Sequence, residues 1–140
     1  MKIAVIDTQG AGLGQTVVKK IRKEIGQDVN IIALGTNSFA TSKMVRAGAN
    51  VGISGERSII SFCKTNEIDS IIGPIDIICC NNIDGEITPL ISKSIINMDC
   101  IKYVLPLQKY NIYIPGTNTM QIKDIIEEII NDIKNRAKLI

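Results

Sequence analysis

Histidine is absent from this sequence of 140 residues. Its absence removes the commonest general base, the commonest side-chain ligand of transition metals and the middle member of most catalytic triads. Any chemistry in this protein must therefore use a carboxylate, a lysine, a tyrosine, a thiol or the bound ligand itself.

Long apolar runs are absent as well. A membrane-spanning helix needs about 18 or more consecutive apolar residues, and no segment of the chain comes close to that length. The apolar start Met1–Ile6 is cut short by Asp7, which does not fit a secretory signal peptide. We therefore expect a cytoplasmic protein with no membrane partner.

The chain also lacks an excess of charge of one sign. Its 16 basic and 14 acidic residues are mixed along the sequence and give a formal net charge of +2, too little for a broad field that would hold a polyanion. Basic runs do not alternate with aromatic residues, as they usually do in base-stacking surfaces. The five aromatic residues are Phe39, Phe62, Tyr103, Tyr110 and Tyr113. Nucleic acid is therefore not an expected partner.

The cysteines lack the spacing of a metal site. None of Cys63, Cys79, Cys80 and Cys100 forms a C-x-x-C pair. If Cys79 and Cys80 lay on a strand, they would point to opposite faces and could not share one metal ion. In a reducing compartment, thiols on apolar segments are usually small core residues. We expect no metal site.

What the sequence does contain is typical of a globular protein. The hydrophobic fraction is 45% and the charged fraction 21%, both near the averages for globular chains. A chain of this length usually folds around one core. We therefore expect residues 1–140 to form a single domain.

Hydrophobic periodicity predicts a strand, a helix and a second strand at the start of the chain. Lys2–Ile6 is a short apolar run typical of a buried parallel strand. The apolar residues of Leu13–Ile25 recur with helical spacing before Gly26, and Val29–Leu34 is a second apolar run. Together they form a βαβ unit.

Further elements follow downstream. The patterns predict helices over 39–47 and 56–64, a strand over 68–72, a helix from Thr88-Pro89 to about Met98, and a last helix with an isoleucine stripe over 122–133.

Two segments in this part of the chain are harder to interpret. Residues 75–80 fit a bent continuation of a strand, a hairpin partner or a short helix, and their isoleucines favour a strand. Ile101–Leu105 and Asn111–Ile114 lie close enough to pair as an antiparallel hairpin at a sheet edge. The fold class is α/β, with helices on both faces of a mostly parallel sheet.

The turn Gly10-Ala11-Gly12-Leu13-Gly14 joins the first strand to the first helix. At such a turn, unpaired N–H groups converge and can bind a phosphate or a carboxylate, and glycine lets the ligand come close. In the dinucleotide fingerprint G-x-G-x-x-G, Gly10 and Gly12 match but Gln15 stands in the third place. Alternatively, the glycines only allow close packing, while Asp7 and Gln9 satisfy local backbone groups.

The fingerprint also places an acidic residue after the second strand, where it binds the ribose hydroxyls. Here Gly35-Thr36-Asn37 follows that strand instead. Thr36 and Asn37 could bind a ribose or accept a 2′-phosphate, with Lys43 or Arg46 nearby.

Several polar segments are expected to meet at the carboxyl ends of the strands, because parallel strands end at the same edge. The candidate cofactor-binding residues there are Asp7, Gln9, Gly10, Ala11, Gly12, Leu13, Gly14, Gly35, Thr36, Asn37, Ser38, Gly73 and Pro74. Two loop carboxylates, Glu86 and Asp84, are candidates for a general base.

With these segments assembled, the chain resembles a family of short bacterial proteins that is known only as a domain of unknown function and is described as Rossmann-like. The resemblance covers nearly the whole chain. It rests on residues 6–14, 32–37, 47–50, 72–75 and 85–89. It implies a Rossmann-like three-layer sandwich and suggests that the polar segments at the strand ends belong to one site.

Three functions are compatible with these features. The first is binding of a nucleotide or dinucleotide, NAD(P) or another adenine nucleotide, at the glycine turn, with a redox link as one form of it. The second is a small enzyme acting on a phosphorylated or carboxylated metabolite, with Glu86 or Asp84 as its base. The third is a subunit of a homodimer that uses the last helix and the 101–114 hairpin as its interface.

Overall fold

A computed structural model describes residues 1–9, 12–78, 86–107 and 111–138. Five strands, five α-helices and one 3-10 turn lie within these residues. The strands are β1 (Lys2–Asp7), β2 (Asn30–Gly35), β3 (Val51–Ser54), β4 (Ser70–Pro74) and β5 (Ile101–Leu105). The helices are α1 (Gly12–Glu24), α2 (Ser38–Arg46), α3 (Glu56–Thr65), α4 (Pro89–Ile96) and α5 (Ile122–Lys138), and Ile75–Ile77 forms the 3-10 turn.

The strands form one sheet in the order β3-β2-β1-β4-β5, and every described pairing is parallel. β1 lies in the middle, where nearly all of its residues are buried. Continuous apolar runs such as those of β1 and β2 are what a parallel sheet requires, because helices cover both of its faces. This confirms the α/β class and the three-layer architecture.

Each face of the sheet carries its own apolar core. Along β1, Ile3 and Val5 belong to the core beneath α1, α2 and α5, while Ala4 and Ile6 belong to the core beneath α3 and α4. Successive side chains of a strand point to opposite faces, so one short apolar run supplies both cores. The isoleucine stripe of α5 packs into the first core, as its spacing predicts.

The order of the strands reverses beside β1. From β1 the chain steps outward to β2 and β3, then crosses over to β4 on the other side of β1 and continues to β5. The direction therefore reverses between β1 and β4. In open α/β sheets of this kind, ligands bind in the crevice outside the carboxyl ends of the strands at this reversal.

The predicted antiparallel hairpin is wrong. β5 pairs in parallel with β4, and residues 111–114 form no strand. Asn111 adopts a left-handed φ of 55°, which interrupts an extended run, and the N–H of Thr117 closes a turn onto the carbonyl of Ile114. The apolar side chains of this segment are exposed, with Tyr113 at 68%, so no sheet face buries them.

Two further elements differ from the prediction. Ile75–Ile77 forms a 3-10 turn, which agrees with the short-helix alternative and not with the favoured strand, because β4 ends at Pro74 and the N–H of Ile78 then bonds to the carbonyl of Ile75. Ile75 and Ile77 are nevertheless buried, which accounts for their apolar character. Residues 79 and 80 lie outside the described residues. The edge strand β3 was not predicted at all.

Candidate functional site

The candidate site lies at the carboxyl ends of β1, β2 and β4. Asp7 ends β1 opposite Gly35, the last residue of β2, and Pro74 ends β4 on the other side. The predicted site residues that the structure describes all lie at this edge of the sheet or at the helix starts that follow it. Gly10, Ala11 and Asp84 lie outside the described residues.

Asp7 organises the turn between β1 and α1. Its side chain is almost fully buried, and its Oδ2 accepts a hydrogen bond of 2.6 Å from the N–H of Gly14. Its Oδ1 accepts one of 2.8 Å from the N–H of Thr8. A carboxylate at this place stabilises the positive end of a helix. Asp7 therefore satisfies backbone groups of the turn, as one of the two interpretations of the glycine turn expects.

Gly14 is required by packing. A Cβ added there would lie 2.7 Å from Met44 Sδ and 2.9 Å from Asp7 Cβ. Real Cβ atoms do not approach other atoms so closely, so any side chain at this position would push α1 away from Asp7 and from α2. The last glycine of the turn serves the contact between the helix and the sheet.

Gly12 is different. It is the first residue of α1 and is exposed, and no described atom lies within 4 Å of a Cβ added there. Its φ is not in the left-handed range that favours glycine. Neither the backbone nor the packing of the described residues therefore demands glycine at this position, and the described residues leave the space in front of it open.

The end of β2 is held by Thr41 of α2. The hydroxyl of Thr41 donates to the carbonyl of Asn37 at 3.0 Å and accepts from Ser54 Oγ at 2.7 Å, so it ties the β2 loop to the end of β3. A Cβ added at Gly35 would overlap Thr41, including its backbone nitrogen at 2.5 Å. Sequence reasoning named Gly35 but missed Thr41 and Ser54, because no local pattern links them.

Glu86 reaches across the site to both loops. Its Oε2 accepts a hydrogen bond of 2.6 Å from the N–H of Gln9, 77 residues away in sequence. Its Oε1 accepts from Thr36 Oγ1 at 3.0 Å and from Asn37 Nδ2 at 2.8 Å. The carboxylate of Glu86 therefore lies between the loop after β1 and the loop after β2.

These contacts lower the pKa of Glu86. Partial burial acts to raise the pKa of Glu86, but its three hydrogen bonds outweigh that effect, and the pKa lies below its usual value. A general base works best when its pKa is near the working pH. The direction of this shift makes Glu86 a persistent carboxylate and a weak base.

The other predicted residues contribute to packing or lie at the start of a helix. Gly73 lets β4 pack closely, since a Cβ there would lie 2.5 Å from Ile6 Cγ2. Leu13 packs against the core beneath α1, and Ser38 is the exposed first residue of α2. Among the described residues, no group of three or more Asp, Glu, Cys or His side chains could hold a metal ion.

The match to a family model covers almost the whole chain. Residues 2–138 match the model of a family described as Domain of unknown function (DUF3842). The chain belongs to this family. Membership in DUF3842 confirms the resemblance inferred from the strand-end segments, and it assigns no activity. A search of the curated proteins finds no match. In the described part of this DUF3842 member, no helix is long and apolar enough to cross a membrane.

Proposed function

We propose that the protein binds a nucleotide or dinucleotide, with a phosphate against the N-terminus of α1. The observation that carries this proposal is the space that the described residues leave open at Gly12. This residue starts α1 at the reversal of strand order, and the described residues give it no packing partner and no backbone need for glycine. A glycine at a helix start with free space in front allows a ligand to approach the backbone closely.

The strand order supports the same site. The sequence β3-β2-β1-β4-β5 is that of the first five strands of the dinucleotide-binding sheet, in which the pyrophosphate lies after the first strand. In this chain the same place is bounded by the loops after β1, β2 and β4. The adenosine half of a ligand would extend from α1 toward the end of β2.

The buried carboxylate of Asp7 disfavours a small free anion at α1 relative to a whole nucleotide. The first four N–H groups of a helix have no acceptor within it, and Asp7 occupies that of Gly14. An anion at α1 would therefore accept hydrogen bonds from the N–H groups of Gly12 and Leu13. It would also lie close to the carboxylate of Asp7, which would repel it. A bare phosphate gains little under these conditions, so binding must draw on the nucleoside as well. We expect whole nucleotides to bind more tightly than inorganic phosphate.

NAD(P) and other adenine nucleotides fit this description, since their phosphates and ribose would contact adjacent loops. A redox-linked role follows if the ligand is NAD(P), because the nicotinamide carries the hydride chemistry and the protein only binds and orients it. No histidine or other strong base is needed for that role.

A thermal-shift panel tests the proposal. The purified protein is heated with NAD(P)(H), flavins, adenine nucleotides and S-adenosylmethionine, and inorganic phosphate serves as the control. A ligand at about 100 times its dissociation constant stabilises the folded state by about 2.7 kcal/mol, which raises the midpoint temperature of unfolding measurably. We expect at least one nucleotide to do so and phosphate to have no effect. A well-folded protein that none of these compounds stabilises would contradict the proposal.

A further inference from the structure

We propose that Glu86 is the acceptor for the ribose hydroxyls and makes the site select nucleotides with a free 2′-hydroxyl. This inference rests on the proposed function and adds the chemical class of its ligand. The loop after β2 contains no acid, although an acid at that place is what binds the ribose in dinucleotide sites. The structure supplies a carboxylate there from a different part of the chain.

The position of Glu86 follows from its partners. Two of its three donors, Thr36 and Asn37, are the first two residues after β2, and the third is the backbone of Gln9 in the loop after β1. Its carboxylate therefore lies beside the end of β2, next to the turn that leads into α1. A ribose attached to a phosphate at α1 would meet it there.

The residues around Glu86 hold it in place. The next residue, Ile87, is buried in the core beneath α3 and α4, and Thr88 caps α4 by accepting from the N–H of Ile91. On the opposite side, the Oδ1 of Asn37 caps α2 by accepting from the N–H of Ala40 at 2.8 Å. That cap fixes the amide so that its Nδ2 faces Glu86.

Glu86 can still accept further hydrogen bonds. A carboxylate offers about four lone-pair sites, and three donors among the described residues contact this one. The side chain is half-buried, so part of it remains exposed. Its lowered pKa keeps it ionised at neutral pH, which suits a hydroxyl donor.

The same charge disfavours a 2′-phosphate. A phosphate in contact with Glu86 would bring two negative charges together, and like charges at short range repel strongly. We therefore expect the protein to prefer NAD⁺ to NADP⁺ and ATP to 2′-deoxy-ATP.

Calorimetric titration of these four nucleotides tests the inference, using the wild type, Glu86→Gln and the control Glu67→Gln. Glu67 is an exposed glutamate that precedes β4 at the opposite end of the sheet, so its variant makes the same charge change away from the site. A hydrogen bond to a charged group corresponds to about tenfold to a hundredfold in affinity. The wild type and Glu67→Gln should show preferences of this size, and in Glu86→Gln both ratios should fall toward one.

The outcomes separate this inference from the function on which it rests. If the wild type binds nucleotides but prefers NADP⁺, or does not distinguish ATP from 2′-deoxy-ATP, only the role of Glu86 is wrong. The same holds if Glu86→Gln keeps the wild-type ratios, or if it binds every nucleotide more tightly, since Glu86 would then block the site. If the wild type binds none of the four, this inference fails, and the proposed function fails with it when no other compound of the thermal-shift panel stabilises the protein either.

Discussion

Gly12 and Gly14 are two residues apart, but the structure assigns them different roles. Gly14 is enclosed by Met44 and Asp7, whereas the described residues leave the space around Gly12 open. Packing therefore requires Gly14, whereas at Gly12 the described residues leave room for a ligand to come close to the backbone. Alanine substitutions at Gly12 and at Gly14 distinguish these two roles.

We predict that Gly14→Ala lowers the free energy of unfolding by about 1 to 3 kcal/mol, since its methyl group would overlap Met44 and Asp7. Gly12→Ala should leave it unchanged or raise it by up to about 1 kcal/mol, because alanine has the better helix propensity and its methyl group would contact none of the described residues. Denaturant unfolding of both variants measures the difference. A loss in Gly12→Ala as large as that in Gly14→Ala would show that residue 12 is packed after all.

For single residues, the sequence predicted most members of the candidate site but not their contacts. The sequence predicted Asp7 as a binding residue at the end of the first strand and Glu86 as a loop carboxylate and candidate general base. That Asp7 bonds to Gly14 follows from a short turn and could be anticipated. The contact between Glu86 and Gln9 joins residues 77 apart and depends on the path of the chain after β4, which no local pattern encodes.

Among the elements, β5 and α5 are joined by a polar cluster away from the site. The hydroxyl of Tyr103 donates to Asp132 Oδ2 at 2.5 Å, and Arg136 Nε donates to the same oxygen at 2.7 Å. Burial raises the pKa of Tyr103 to about 12, and the hydrogen bond to Asp132 and its negative charge act in the same direction. The cluster therefore depends on a neutral tyrosine.

This cluster predicts a loss of stability in alkali. The folded pKa of Tyr103 lies above the ordinary unfolded value of about 10, so its contribution is complete below pH of about 10 and is lost as the pH rises toward 12. Ultraviolet titration should show one tyrosine that ionises near pH 12. This ionisation at high pH should disappear in Tyr103→Phe. It should persist in Tyr113→Phe, because the side chain of Tyr113 is exposed. Its persistence in Tyr103→Phe would contradict the assignment.

The elements that the sequence predicted well are those with a strong period or cap. The isoleucine stripe of α5 and the Thr88-Pro89 start of α4 are examples. β3 was missed because it has only four residues, lies at the sheet edge and is mostly exposed, so it carries no apolar run. The segment 111–114 has such a run but lacks a partner strand, and apolar character alone cannot supply one.

For the whole molecule, the parallel sheet and its strand order are the features that bring the separate loops together. The βαβ unit at the start of the chain predicted the first pair of strands. The reversal between β1 and β4 emerged only from the structure, because it depends on where the crossover after β3 leads. Homodimerisation stays a prediction, and the hairpin on which its proposed interface partly rested does not form.

The central claim is that a nucleotide phosphate binds at the start of α1. Calorimetric titration of Gly12→Ala and the wild type, with the nucleotide that stabilises the protein most in the thermal-shift panel, tests it most directly. We predict that the variant is as stable as the wild type but binds about tenfold or more weakly, because its methyl group holds the phosphate away from the backbone. Equal affinity in the two proteins would contradict the account.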